Sequence, residues 1–152
     1  MTDTNAQLWG LPSPDLHAEF YADVPAKRLI AFLVDTLLIC LITALIVPFT
    51  AFSALFFLPF LAMVVGFVYR TATLAGGSAT PGMRLVAIEL RNHRGERFDL
   101  ATAAAHTLIY SVALSMVLPQ ALSVLLMLTT ARRQGLPDLA LGTAAINRAA
   151  LA

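Results

Sequence analysis

Two residues of opposite charge stand in an otherwise apolar stretch. From position 28 to 47 the chain reads Arg-Leu-Ile-Ala-Phe-Leu-Val-Asp-Thr-Leu-Leu-Ile-Cys-Leu-Ile-Thr-Ala-Leu-Ile-Val, with Arg28 at its entrance and Asp35 inside it. A spacing of seven is about two helical turns, so both side chains project from one face, roughly 10 Å apart along the axis. A carboxylate at that depth in hydrocarbon costs on the order of 2.5–3.5 kcal/mol on insertion scales. A plain anchor would carry Leu there, so Asp35 needs a partner, a proton or water. Two chemistries fit. Asp35 is a proton or cation site, because a buried carboxyl can exchange protons near neutral pH. Or it is a structural acceptor that fixes helix packing.

The remaining reactive groups form no enzyme pattern. His17, His93 and His106 lack metal-ligand spacing with one another or with Cys40. Gly76-Gly77 to Gly82 lacks the Gly-Lys-Ser/Thr ending of a phosphate loop. Ser78 and Ser111 have no recognisable base partner. The lone Cys40 reads as inert filler of an apolar helix. The expectation is a non-enzyme with no catalytic residue, no metal and no cofactor. His106, in the third apolar segment, and Arg84, in a basic loop, are the weaker candidates. A neutral histidine in such a segment serves most simply as a contact between helices.

The elements that must position these groups follow from hydropathy. Of the chain, 59% is hydrophobic and only 12% charged, which points to the bilayer as solvent. A net charge of +1 with no basic stripe of interleaved aromatics gives no footprint for nucleic acid. Residues 1–24 read as a flexible polar tail without a basic leader, with Trp9, Phe20 and Tyr21 as interface rings. A first span starts at Pro25 and ends near Val47; a second covers about 51–69, with Pro59 expected to kink it. Arg70, Arg84, Arg91, Arg94 and Arg97 make residues 70–100 a basic segment, placed in the cytoplasm by the positive-inside rule, with the N-terminus on the same side. Within it, Arg84 to Leu90 reads as a strand that turns at 92–95 into a short return at 96–98, a hairpin over 84–98. Asp99 is an N-cap. The apolar residues 100–130 are either one kinked span or a re-entrant helical pair with its tip at Pro119-Gln120. Arg132 and Arg133 favour the pair, because it returns them to the cytoplasmic side. The fold expected is thus an all-α membrane protein with two full transmembrane helices, this third segment and a small cytoplasmic β-hairpin.

Three stretches in order resemble the RDD family of small bacterial integral membrane proteins. Arg28, Ala31 and Asp35 match its Arg-x2-Ala-x3-Asp opening. Ala79-Thr-Pro-Gly-Met-Arg84 with the strand after it and Gly95 is similar to its Thr-x-Gly-Lys-Arg segment. Gly135-Leu-Pro-Asp138 followed by Gly142-Thr143 is similar to its Gly-Leu-His-Asp-x3-Gly-Thr ending. Met83 replaces the usual Lys, Pro137 the usual His, and His106 an expected Arg. The resemblance implies an inner-membrane, multi-pass domain over residues 25–143, with residues 144–152 as a C-terminal tail, and a suggested role in transport.

The reading is therefore transport, or assistance to transport, of a proton, a cation or a small solute through an intramembrane cluster. Asp35 is its protonatable group, Arg28 the electrostatic partner, and Asp138 a second acid at the cytoplasmic mouth. Three apolar segments enclose little, so a homo-oligomer or a membrane partner protein is expected alongside the lipid bilayer. The competing class is a non-transporting scaffold or accessory subunit whose polar residues are packing glue.

Overall fold

The computed structural model describes residues 10–151; residues 1–9 of the expected tail, Trp9 included, lie outside the described residues. Helix α1 covers Val24–Ile46, with Pro25 in its first turn, where a missing N–H costs nothing. At 23 residues it is roughly 35 Å long, enough to cross about 30 Å of hydrocarbon. Its outer face is apolar and exposed at Leu29, Leu33, Leu37, Leu41 and Leu45, the pattern of a helix solvated by lipid.

Two 3-10 turns, Val47–Thr50 and Ser53–Phe57, then reverse the chain. Ala51 and Phe52 between them take positive φ, which stops the first helix. Helix α2 runs Leu58–Gly77. Pro59 thus sits in its first turn and does not kink a span, because the helix begins seven residues later than the hydropathy implied. The helix also continues past Tyr69, so Arg70 lies inside it and not in the basic loop.

Ser78 caps α2 in the left-handed region, and the short α3, Pro81–Leu85, follows with Thr80 as its N-cap. Arg84 therefore belongs to a helix, and the strand β1 is only Ile88–Arg91. A two-stranded antiparallel sheet is present, but the return strand at 96–98 is not part of it. β1 pairs instead with β2, Ala144–Asn147, from Ile88 opposite Asn147 to Arg91 opposite Ala144. The residues read as a C-terminal tail supply this strand, and its Ala144 and Ala145 are fully buried. Asn147 then ties the chain's two ends, accepting from Lys27 Nζ (2.7 Å) and donating to Glu19 O and Ala22 O.

Helices α4, Leu100–Leu114, and α5, Val117–Thr129, are bent by 116° at Ser115-Met116. The break precedes Pro119, which sits in the opening turn of α5. Asp99 caps α4 through its side chain, accepting from Thr102 N at 2.8 Å. At 15 and 13 residues these helices are roughly 22 and 20 Å long, each too short to cross alone. The sheet holds the segment before the pair against the segment after it, so the pair leaves and returns to one end of the molecule. Helix α6, Leu136–Leu141, packs beneath both.

The buried core gathers at that same end. Val24 and Ala31 from the start of α1 meet Leu74 from the end of α2, Met83, Ile88, Leu90, Phe98, Ala103 and Ala145. Elsewhere the helices turn apolar faces outward: Leu37, Phe60, Met63, Val68, Val112 and Leu125 are exposed. Among the described residues two helices are long and apolar enough to cross a membrane, or three spans if the bent pair counts as one.

Candidate functional site

Asp138 is the most heavily engaged side chain. Gly135 and Pro137 set the first turn of α6, and Asp138 at its third helical position turns back toward Gly135 N at 3.2 Å. The same oxygen, Oδ2, receives Arg28 Nη1 at 2.5 Å; Oδ1 receives Thr143 Oγ1 and His106 Nε2, both at 2.9 Å. The carboxylate is fully buried and Arg28 nearly so. Burial alone would raise this carboxyl, but the Arg28 guanidinium and the His106 hydrogen bond outweigh it and hold Asp138 well below the usual carboxylate range. A carboxylate only accepts, so the contact with His106 requires the ring proton on Nε2. His106 Nδ1 is then buried without a partner among the described residues, beside the Phe98 ring at 5.5 Å between centroids.

Asp35 forms a separate constellation. It is 3% exposed and accepts three hydrogen bonds: Tyr69 Oη (2.7 Å) and Gly82 N (2.9 Å) at Oδ1, and Thr80 Oγ1 (2.5 Å) at Oδ2. Its donors come from α2 and from the start of α3, so this carboxylate latches α1 to the segment that links α2 to the sheet. The close approach demands glycine at position 82: a Cβ there would lie 2.4 Å from Ala31 O and 2.9 Å from Asp35 Oδ1. Arg28 thus pairs with Asp138 and not with Asp35. The sequence places Arg28 and Asp35 on one face, but the α6 turn takes the guanidinium first.

The two constellations meet at a cavity of about 690 Å³ between α1, α4 and α5, whose lining includes Arg28, Asp35, Phe32, Tyr110, Ser123 and Val124. Arg70 lines it too, and sequence reasoning missed it. The Arg70 guanidinium lies over the Tyr110 ring, 3.8 Å from the centroid, with the residue only 5% exposed. Its Nε is buried without a hydrogen-bond partner among the described residues. The signal that α2 continues past Arg70 is that no Gly or Pro stands between it and the Gly76-Gly77 pair. Of the other sequence candidates, His106 joins Asp138, whereas Arg84 is exposed and lies across Gly77, away from the cavity lining.

Glu89, on β1, is a further buried acid at 1% exposure; it is paired with Arg91 and lies 3.4 Å from Arg148 Nε. Arg148, just after β2, therefore reaches across the sheet to Glu89, while Arg91 pairs with Glu89 along β1 and is not a free loop charge. A sequence model of the RDD family matches residues 23–142. No curated protein and no solved structure matches the chain.

Proposed function

The chain belongs to the RDD family, and on that footing we propose that it transports, or helps to transport, a proton, a cation or a small solute, with the cavity between α1, α4 and α5 as the binding site. The observation that carries this reading is the cavity itself. It brings Arg28, Asp35 and Arg70 to the same space as the apolar Leu29, Phe32 and Val124, where a molecule can be held by polar groups without leaving the bilayer. Asp35 is the carboxylate that a proton or cation meets there. Asp138, already held by Arg28 and His106, acts as the strut that keeps Arg28 at the cavity wall. Two long helices and one bent pair leave the cavity open on one side, so a second copy or another membrane protein completes the enclosure. The setting is a bacterial inner membrane with the N-terminus in the cytoplasm, in keeping with the arginines of the sheet end.

The test is flux in liposomes loaded with purified protein, measured for protons, Na⁺, K⁺ and small solutes. Val124 lines the cavity and is 44% exposed, so Val124→Trp narrows the space without disturbing the core. The wild type should carry at least one species and Val124→Trp should stop it; unchanged flux in that variant would remove the cavity from the pathway. Asp35→Asn should insert and fold yet lose ion-coupled flux.

A second reading rests on a different observation, the three donors that surround Asp35. A carboxylate so fully bonded suits a latch that holds a scaffold or accessory subunit in shape. Under that reading the wild type carries no species in the liposome assay.

A further inference from the structure

We propose that the cavity takes the phosphate group of an amphiphilic anion, with Arg70 as the residue that binds it. The inference rests on the cavity being the binding site and adds the chemical class of its occupant. Arg28 is neutralised by Asp138 at 2.5 Å, and the Asp35 charge is spread over three donors. Arg70 is treated differently. Among the described residues no carboxylate lies within ion-pair distance of it, and it donates no hydrogen bond.

Arg70 is 5% exposed as a residue, and its Nε is buried away from water with no acceptor among the described residues, so the guanidinium is a donor short of partners. Tyr110 supplies none; its ring covers one face of the guanidinium plane at 3.8 Å. Stacking of this kind leaves the in-plane N–H fork free, and that fork matches two oxygens of a phosphate. Arg70 is seven residues from the end of α2, roughly 10 Å along the axis, which places it near the boundary between head groups and hydrocarbon. The walls beyond it are apolar, at Leu29, Phe32 and Val124. A phosphate attached to an acyl chain satisfies both halves of the cavity; a hydrated inorganic ion satisfies one.

The experiment uses the full chain in detergent micelles, titrated with dioleoyl phosphatidylglycerol, with dioleoyl phosphatidylcholine and with inorganic phosphate, and reads binding by thermophoresis. The wild type should prefer phosphatidylglycerol, and Arg70→Gln should weaken that binding roughly 10- to 100-fold, the factor that charge-assisted hydrogen bonds are worth. Arg70→Lys, with the charge but not the fork, should fall between. Val124→Trp should abolish binding with Arg70 intact, so a poorly folding Arg70 variant does not leave the idea without a test. Competition by inorganic phosphate that disappears in Arg70→Gln would support the same site while assigning its source to free phosphate. Equal binding of the two lipids by the wild type, or an unchanged preference in Arg70→Gln, overturns the proposal. If Val124→Trp still stops flux of some other solute, the cavity remains a pathway and only the phosphate assignment falls.

Discussion

Arg28 and Asp138, 110 positions apart, are joined by a 2.5 Å contact that seals the start of α1 to α6. The partners are 11% and 0% exposed in their side chains, so Asp138 has no water to fall back on and depends on Arg28.

Arg28→Ala should therefore be among the most damaging single changes. It leaves a buried carboxylate uncompensated, a loss of about 3–5 kcal/mol. Arg94, exposed in the turn after β1, is the proper control; Arg91 is not, because it pairs with the buried Glu89. Folded yield and unfolding temperature in detergent should drop for Arg28→Ala and stay near wild type for Arg94→Ala.

Acid sensitivity should trace to Asp138. Its folded carboxyl titrates below the unfolded value of about 3.9, so its contribution is complete above roughly pH 5. That contribution is lost as pH falls through about 4 toward the depressed folded value. Asp138→Asn should be less stable at neutral pH, with a gap to wild type that narrows below pH 4. A gap of constant size down to pH 2 would argue against an ionised Asp138.

Asp35→Ala should cost far more than Asp35→Asn. Alanine strands the Tyr69 and Thr80 hydroxyls and the Gly82 N–H, each about 1–3 kcal/mol when buried and unmet. Asparagine keeps one oxygen for Tyr69 and Gly82, and its amide can donate to the Thr80 oxygen. Thermal unfolding of the two variants should rank them in that order.

Gly82→Ala and Gly76→Ala make a paired test of the latch. The first drives a methyl to 2.4 Å from Ala31 O, while the second meets nothing within 4 Å. Gly76→Ala should be neutral or stabilising by about 0.5–1 kcal/mol, as for a helix interior. Gly82→Ala should lower the unfolding temperature and free Asp35.

Topology follows from the sheet. Since β1 and β2 pair, the chain before and after α4–α5 should face one side of the membrane. In a Cys40-free variant, cysteines replacing the exposed His93 and Ala149 should show the same accessibility to an impermeant thiol reagent in intact cells. Opposite labelling would mean that the bent pair crosses.

Much of the frame is legible from local chemistry. The limits of α1 follow from Pro25 and the end of its apolar run, and Asp99 reads as a cap because its short side chain reaches Thr102 N. What is not legible depends on distant residues. The stretch Ala-Ala-Ile-Asn has little strand propensity of its own, and it becomes β2 only because β1 lies alongside. Arg28 and Asp35 share a face as their spacing requires, yet which acid takes the guanidinium is decided by a turn over a hundred positions later. Arg70 reads as an interface residue until α4 supplies Tyr110.

The separation between Arg28 and Asp138 also sets a clock during synthesis. At 5–20 residues per second, the ribosome needs roughly 5–20 s to add the 110 positions that lie between them. For most of that interval α1 is complete and Asp138 does not yet exist. Until then Arg28 is a cation without this partner, and the pairing forms only with the late-arriving acid. Insertion of the helices and closure of the sheet end are thus successive events, and the nascent chain passes through a stage that is inserted but unsealed.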